Sequence, residues 1–370
     1  MATLRTLSIA STSAVLMVWG MGETAATALS DSTPLFDRVD SYTTTIAANN
    51  DVADIYYPKL LDLNANTDTD SFPVALLLQG ANVDKSDYSN FASTVASYGF
   101  VVVVPNHQQS LPEFGFTGLL PDTSQIEAVQ TQMVAENLNP ASPVAGIVDT
   151  QKLALLGHSQ GGAVGLSAIA DICIPVLCQG DYSRPDELVA GAFFGANLRN
   201  QNTQEVIPIN NSGIPIALLQ GTADSIALPE RAEGTYEQIQ TPPKALVEIL
   251  GANHYGITNT NNPVGPRADG NAPTIPQDEA VETVGRWSGL FLRASVLDDK
   301  EAFNYVYFTG DAMDENVNVI SQATPVPEPS AKLSVTAGLL AFGIWGILRR
   351  KKRQQQTVAK VSSSILHKVS

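Results

Sequence analysis

Short apolar runs alternate with longer amphipathic runs from Phe72 to about Arg293, and this alternation constrains the fold more than any other feature of the chain. Each apolar run is bounded by Gly, Pro or Asn, as is typical of buried parallel strands. The predicted strands are residues 74–78, 100–104, 153–156, 188–194, 214–219 and 245–250. The predicted helices are residues 88–97, 126–138, 161–171, 230–240 and 278–297. This repeat predicts an α/β fold with one mostly parallel, doubly wound sheet.

The composition is that of a globular protein. A length of 370 residues allows one large or two modest domains at ~150 residues each. With 44% hydrophobic and 16% charged residues, the chain is not of the disordered, coiled-coil or polytopic membrane class, and two cysteines exclude a disulfide-built miniprotein. We assign residues 29–320 to one domain, with a further antiparallel strand at residues 54–60.

The charge of this domain disfavours a nucleic-acid partner. Eight of the 21 cations lie at or beyond Lys332, and Arg5 and Glu23 lie in the first 28 residues. Residues 29–328 therefore carry 12 cations against 36 anions, a net charge of −24. Nucleic-acid binding requires a basic face that neutralises phosphates. An acidic body suits solubility outside the cell.

The first 28 residues have the features of a removable signal peptide. Arg5 precedes an apolar stretch over residues 7–21, and Ala26-Thr27-Ala28 fits the small-x-small rule for signal peptidase. The apolar stretch is shorter than the ~20 residues that span a membrane, although an uncleaved anchor stays an alternative. The sequence thus predicts export to the cell envelope or the extracellular space.

The C-terminal region carries a three-part pattern. A Pro-rich linker over residues 321–332 contains Pro-Glu-Pro, and it precedes the uncharged residues 333–348 and five cations at residues 349–353. A single apolar helix of this length covers ~24 Å, slightly less than a ~30 Å hydrocarbon core, and the cations would stay cytoplasmic. This helix predicts a membrane contact through residues 333–348.

Residues 327–353 resemble the PEP-CTERM sorting signals of Gram-negative and cyanobacterial proteins. The resemblance implies that an exosortase-type processing enzyme recognises the segment and releases the body to the envelope or the extracellular matrix. A basic polar tail, residues 354–370, continues past the point where such signals usually end. A plain single-pass anchor is the alternative.

Residues 157–162 read Gly-His-Ser-Gln-Gly-Gly, between a predicted strand and a predicted helix. The glycines of this G-x-S-x-G motif permit a sharp turn that exposes the Ser159 hydroxyl at the end of the sheet. Ligand sites of open α/β sheets lie beyond the carboxyl ends of the strands, so this position favours catalysis. We predict Ser159 as a nucleophile. The alternative is a Gly-rich turn whose serine caps the helix.

A serine hydroxyl needs a neighbouring imidazole to remove its proton, and the chain has four histidines. His254 follows the last predicted strand, where the base of the Ser-Asp-His order of α/β-hydrolases belongs. His158 lies within the turn itself, and His367 lies past the apolar C-terminal segment. His107 precedes the nucleophile and is predicted to be a polar loop histidine. We predict His254 as the general base, with a surface loop histidine as the alternative.

The residue that orients the base must lie between Ser159 and His254, after the end of a strand. Asp224 follows the predicted strand 214–219 and can accept a hydrogen bond from the imidazole N–H. Asp181 and Asp186 precede a strand and therefore fall at the wrong end of the sheet. We predict Asp224 as the orienting acid, with a turn-forming aspartate as the alternative.

Acyl transfer also requires two backbone donors for the oxyanion. The N–H of Gln160, directly after the nucleophile, is the first predicted donor. The second should come from the loop after the first parallel strand, residues 79–82, where we predict the N–H of Ala81, followed by that of Asn82.

These segments resemble a group of α/β-hydrolases that includes chlorophyllases, platelet-activating-factor acetylhydrolases and cutinase-like polyester hydrolases. The resemblance rests on residues 157–162, 224–229 and 251–255, with further similarity at residues 97–103 and 149–150, and it spans roughly residues 50–295. It implies the α/β-hydrolase fold and esterase or lipase chemistry with Ser159, Asp224 and His254 as the triad. Many relatives have His-Gly at residues 79–80, where this chain has Gln-Gly.

Aromatic residues near the same edge of the sheet can form an apolar acyl site. Phe114 and Phe116 in the loop over residues 108–120, together with Tyr255, are the predicted lining residues, with plain packing as the alternative. Cys173 and Cys178 are predicted to form a local disulfide in an exported protein, with two free buried thiols as the alternative.

The sequence therefore predicts an exported serine hydrolase that cleaves carboxylic esters, esterase-like or lipase-like, through an acyl-serine intermediate. Its expected substrate is a small-molecule or lipid ester with an apolar acyl group, and no cofactor or metal ion is expected. A non-catalytic envelope protein that binds lipid or glycan is one alternative. Within enzymes, a serine peptidase or thioesterase is the other.

Overall fold

The computed structural model describes residues 32–59, 71–112, 115–178, 180, 182–200 and 202–323. The predicted signal peptide, apolar C-terminal helix, PEP-CTERM-like segment and basic tail lie outside these residues. None of the helices that the structure describes is both long and apolar enough to cross a membrane.

Strands and helices alternate along most of the described chain. The strands are β1 (Val39–Ile46), β2 (Asp51–Pro58), β3 (Phe72–Leu78), β4 (Val101–Asn106), β5 (Gln108–Leu111), β6 (Phe116–Leu119), β7 (Val148–His158), β8 (Leu188–Phe194), β9 (Ile216–Gly221), β10 (Lys244–Ile249) and β11 (Val317–Gln322). The helices are α1 (Ser89–Ser97), α2 (Ser124–Leu138), α3 (Gln160–Ile169), α4 (Pro229–Gln238), α5 (Gln277–Val296), α6 (Lys300–Asn304) and α7 (Gly310–Met313).

Nine strands form one sheet in the order β1-β2-β4-β3-β7-β8-β9-β10-β11. The six strands from β4 to β10 in this order run parallel, whereas β1 and β2 at one edge and β11 at the other run antiparallel. The predicted α/β fold with a mostly parallel sheet is confirmed. All six predicted parallel strands and the antiparallel strand predicted at residues 54–60 overlap observed strands.

Sequence patterns missed the outer elements of the fold. Strand β1 alternates partly buried and exposed positions with the polar sequence VDSYTTTI, and β11 reads VNVISQ. The separate hairpin pairs β5, QQSL, with β6, FTGL, and neither strand has a buried apolar run. These strands contact the core on one side at most, so they lack the continuous apolar run that identifies a buried parallel strand.

Two apolar cores lie on opposite faces of the sheet. Alternate residues of β3 enter different cores, because successive side chains of a strand point to opposite faces. Ala75 and Leu77 pack in the core that contains α1 and α5, and Leu76 and Leu78 pack in the core that contains α2, α3 and α4. The helices thus cover both faces, and the carboxyl ends of the parallel strands stay open for a site.

The sequence of α5 favours a long helix that packs against one face of the sheet. Asp278 and Glu279 lie in its first turn and Arg293 in its last turn, so the charges complement the helix dipole. Its apolar side packs Trp287 and Leu290 into the core. The buried Arg293 guanidinium contacts Asp299 at 2.5 Å, and this ion pair holds the chain where it leaves the helix.

The segment after α3 contains the predicted disulfide. Cys173 and Cys178 are bonded, and their Cα atoms are 5.3 Å apart. The two cysteines are five positions apart in the sequence, so the bond closes a short loop. This loop contains Val176, whose φ of 76° is in the left-handed region. Because a β-branched residue disfavours that region, the covalent bond holds a strained turn in place.

Replacing both cysteines with serine should lower the free energy of unfolding by about 2 kcal/mol, since closing so short a loop restricts the unfolded chain only modestly. Urea denaturation of the double variant measures this loss. Wild-type protein treated with a reductant serves as the control and should show the same loss. An unchanged midpoint for both would contradict the expected stabilisation.

Candidate active site

Ser159 lies on a strained turn between β7 and α3. Its φ of 53° and ψ of −116° are unfavourable for a residue with a side chain, and its N–H donates to the carbonyl of Phe194 at 2.9 Å. The turn requires glycines beside it. A Cβ on Gly157 would lie 2.7 Å from the Cα of Gly162, and one on Gly161 would overlap the carbonyl oxygen of Leu78. The tight turn places the serine at the carboxyl end of β7.

Asp224 and His254 are joined by a buried hydrogen bond. The Asp224 Oδ2 atom lies 2.7 Å from His254 Nδ1, and the side chain of Asp224 is fully buried. Oδ1 accepts from the N–H groups of Ile226 and Ala227 at 2.8 and 2.7 Å, and Oδ2 also accepts from Gln220 Nε2 at 3.2 Å. With Nδ1 donating to the carboxylate, Nε2 is the acceptor nitrogen of the neutral imidazole.

The acid–base pair borders the turn that carries Ser159. A Cβ on Gly195, next to the residue that accepts from the Ser159 N–H, would lie 3.1 Å from His254 Nδ1 and 3.3 Å from Asp224 Oδ2. The Ser159 hydroxyl makes no hydrogen bond to the imidazole within the described residues. Such bonds are often long in unliganded enzymes and tighten with substrate, and a serine reorients its hydroxyl by one torsion.

Asp269 connects the loops of the acid and the base, and no sequence motif predicted this role. Its carboxylate accepts from the His254 N–H at 2.8 Å, from the Ser225 N–H and hydroxyl, and from the Asn271 N–H. Burial raises the pKa of Asp269, but the hydrogen bonds from Ser225, Asn271 and His254 outweigh burial and lower the pKa. The charged form therefore holds the two loops together. The Asn-, Asp- and Gly-rich sequence around it matches no catalytic motif.

His158 is a structural histidine behind the turn. The Tyr88 hydroxyl accepts from the Gly80 N–H at 2.8 Å and lies 2.9 Å from His158 Nδ1. The hydroxyl therefore donates its proton to Nδ1, and Nε2 donates to the carbonyl of His254 at 3.0 Å. Burial, reinforced by the nearby His254, lowers the pKa of His158 well below its usual value. One neutral imidazole thus connects the loop after β3, the Ser159 turn and the His254 loop.

Two backbone N–H groups are available near Ser159. Gln160 is the first residue of α3, so its N–H has no acceptor within the helix. The N–H of Ala81 has no hydrogen-bond acceptor within the described part of the chain. The N–H of Asn82, the second choice from the sequence, donates to the carbonyl of Leu119 at 2.7 Å. Ala81 therefore remains the candidate for the second oxyanion donor.

A cleft of about 660 Å³ lies beside Ser159. Its walls are largely apolar and include Phe116 of β6, which the sequence predicted to line the site, together with Leu111 and Ile226. Phe114 lies outside the described residues. The prediction that Tyr255 lines the site is wrong. Its ring packs against that of His254 in the core, its hydroxyl donates to the carbonyl of Arg267, and it does not line this cleft.

His107 lies in a buried cluster at the base of the β5–β6 hairpin. Its Nδ1 lies 2.8 Å from Asp51 and its Nε2 lies 3.4 Å from Asp122. Its carbonyl accepts from the side chain of Gln79 at 3.0 Å, next to the Gly80–Ala81 loop. Burial alone would lower the pKa of His107, but hydrogen bonds to Asp122 and Asp51 and their charges raise it to about 9.

His107 was predicted to be a polar loop histidine, and it does lie between β4 and β5, where this cluster buries it. The residue is 7% exposed and charged at neutral pH, so it is a buried ion-pair partner of two carboxylates. His107 contacts Asp51 and Asp122, whereas His254 is the histidine that contacts Asp224. No group of three or more His, Cys, Asp or Glu side chains that could hold a metal ion occurs in the described ranges.

The chain is similar to known proteins over part of its length. The sequence profile of the chlorophyllase family matches residues 31–173, which include the Ser159 turn. Chlorophyllase-1, chloroplastic, of Citrus unshiu is 30% identical over 105 residues, which are 28% of this chain and 31% of that protein. Chlorophyllase type 0 of Chenopodium album is 33% identical over 99 residues, 25% of this chain and 26% of that protein.

A longer alignment comes from a bacterial protein. Cutinase est2 of Thermobifida alba is 24% identical over 215 residues, which are 57% of this chain and 59% of that protein. The chain spans about a third or less of the length of the chlorophyllases it matches. Together, the profile and these relatives support an α/β-hydrolase group.

The free energy of unfolding should fall as the pH rises from 6.5 through about 9. The pKa of His107 is raised to about 9 in the folded protein, whereas its ordinary value is 6.5. The stabilisation is therefore complete below pH 6.5 and is lost when the folded histidine deprotonates. His107→Leu should lower the free energy of unfolding by about 3–5 kcal/mol at pH 6.5, because it leaves two buried carboxylates without their partner. Urea denaturation at pH 6.5 and 9.5 measures both effects. His367→Gln is the control, and a variant at residue 107 with the wild-type pH slope would contradict the role.

Proposed function

We propose that the protein is a serine hydrolase that cleaves carboxylic ester bonds through an acyl-Ser159 intermediate. The observation that carries this proposal is the buried 2.7 Å hydrogen bond between Asp224 and His254, beside a strained turn that presents Ser159 to an apolar cleft. The carboxylate fixes the tautomer in which Nε2 can accept a proton.

In the first half-reaction, His254 Nε2 takes the proton of the Ser159 hydroxyl as the oxygen attacks the carbonyl carbon of the ester. The imidazolium that forms is stabilised by Asp224, whose other oxygen stays bonded to the N–H groups of Ile226 and Ala227. His254 then gives the proton to the leaving alcohol. In the second half-reaction, water attacks the acyl-enzyme through the same base and releases the acid.

The oxyanion of both tetrahedral intermediates is stabilised by the N–H groups of Gln160 and Ala81. Neither N–H has an acceptor within the described residues. Ala81 lies in the loop after β3 and Gln160 begins α3, and the Tyr88 hydroxyl connects Gly80, beside Ala81, with His158, beside the Ser159 turn. Such preorganised donors require no rearrangement when charge develops. The network of Gly80, Tyr88 and His158 thus supports the proposed oxyanion site from behind.

The proposed substrate is an ester with an apolar acyl group. Leu111, Phe116 and Ile226 give the cleft an apolar lining, and its volume of about 660 Å³ suits a small organic ligand. The similarity to proteins named chlorophyllase and cutinase supports ester hydrolysis without defining one natural substrate.

The proposed location is outside the cytoplasm. Residues 1–28 have the pattern of a signal peptide, and residues 327–353 resemble a PEP-CTERM sorting signal. An exosortase-type enzyme and a membrane contact through residues 333–348 are the partners this proposal implies. The disulfide of Cys173 and Cys178 is in keeping with an oxidising compartment.

Ser159→Ala should reduce kcat for p-nitrophenyl esters by several orders of magnitude, on the order of 10⁶-fold, because it removes the atom that forms the acyl-enzyme. A fluorophosphonate probe should label the wild-type protein and not this variant. Ser183→Ala, at an exposed serine, is the control and should retain both labelling and activity. Hydrolysis by Ser159→Ala at the wild-type rate would end the proposal.

A further inference from the structure

Two arginine side chains lie in the cleft beside Ser159. Arg199 follows β8, and Arg231 is in the first turn of α4. The other polar lining residues include Asn197 and Gln204, whereas the remaining walls are apolar. The cleft thus combines an apolar surface with two permanent positive charges, in a body whose net charge is −24 over residues 29–328.

Neither guanidinium has a hydrogen bond or ion pair within the part of the chain that the structure describes. The Arg199 Nε atom is buried and has no partner there. Six other lysines and arginines of this part are at least partly buried, and each has an acceptor: Lys85, Lys152, Arg184, Lys244, Arg286 and Arg293. Buried polar groups are normally paired, so the Nε atom of Arg199 requires an explanation, and the half-buried Arg231 is a second guanidinium in the same cleft without a partner among the described residues.

The fold holds the two arginine-bearing segments side by side. The N–H of Leu198 donates to the Thr235 hydroxyl at 3.4 Å, and that hydroxyl donates to the carbonyl of Arg231 at 2.8 Å. Arg199 also pairs with Val206 in a short antiparallel bridge. The backbones of both arginines are therefore fixed by hydrogen bonds, which favours a built feature of the cleft.

A planar carboxylate is the group that two such side chains recognise best. A guanidinium presents N–H donors in a rigid fork that matches the two oxygens of a carboxylate, and it stays charged at all pH values of interest. The acidic body repels anions at long range, so an anionic ligand needs local cations to bind. Two unpaired arginines next to the nucleophile supply this local attraction.

We propose that the substrate of this site is an ester that also carries a carboxylate, such as the half-ester of a dicarboxylic acid. Arg199 and Arg231 bind the carboxylate, the apolar walls contact the carbon chain, and the ester carbonyl lies at Ser159. Hydrolysis consumes one water and breaks the ester C–O bond to give a dicarboxylate and an alcohol, while the bound carboxylate is unchanged. This inference rests on the proposed ester hydrolase activity.

The test compares two p-nitrophenyl esters of equal chain length, the suberate half-ester and the neutral octanoate. We expect wild-type protein to have a higher kcat/KM for the half-ester. Arg199→Gln and Arg231→Gln should each lower kcat/KM for the half-ester about 10–100-fold, mainly through KM, because a charge-assisted hydrogen bond is lost. Their kcat/KM for the octanoate should stay within about twofold, which also shows that the variants fold.

Arg267→Gln, at an exposed arginine outside the cleft, is the matched control and should leave both esters unaffected. Equal losses for both esters, or no preference of the wild-type protein for the half-ester, would overturn the carboxylate assignment while the esterase stands. Absence of fluorophosphonate labelling and of hydrolysis of either ester would overturn the proposed function and, with it, this inference.

Discussion

The parallel arrangement of the six central strands determines where all the proposed chemistry lies. Because β3, β7, β9 and β10 run in the same direction, the loops that follow them meet at one edge of the sheet. These loops carry Ala81, Ser159, Asp224 and His254 in turn. The two cores on either face of the sheet fix the strands, so each loop starts from a rigid element. Residues separated by more than 170 positions in sequence thereby lie at one edge of the sheet.

Buried polar groups then set the geometry of this edge. Asp224 is buried with its carboxylate bonded to His254, Gln220 and two backbone N–H groups, and such saturation lets a charge stay inside the protein. Asp269 bonds to the loops of Asp224 and His254, and His158 donates a hydrogen bond to the backbone of the His254 loop. The two Arg side chains of the cleft differ from these groups, since they lack partners within the described residues. We attribute the difference to a ligand that the protein binds there.

The sequence identified what depends on local pattern. The apolar runs of the central strands predicted the sheet. Ser159, Asp224 and His254 could be selected because each one directly follows a predicted strand. The polar edge strand β1 had no such signal, and the role of Asp269 depends on contacts between distant loops. Tyr255 was wrongly predicted to line the cleft, because the turn at His254 directs the side chain of Tyr255 into the core. His107 was predicted as a polar loop histidine, and its pairing with Asp51 could not be predicted because the two residues lie on separate segments of the chain.

A crystal structure of the protein after reaction with a p-nitrophenyl alkylphosphonate tests the central claim most directly. The account predicts a phosphorus atom bonded to Ser159 Oγ, with the phosphoryl oxygen accepting from the N–H groups of Gln160 and Ala81 at roughly 2.7–3.1 Å. His254 Nε2 should lie within hydrogen-bond distance of the adduct, with Nδ1 still bonded to Asp224. An adduct on a different residue, or an imidazole turned away from the phosphonate, would contradict the account.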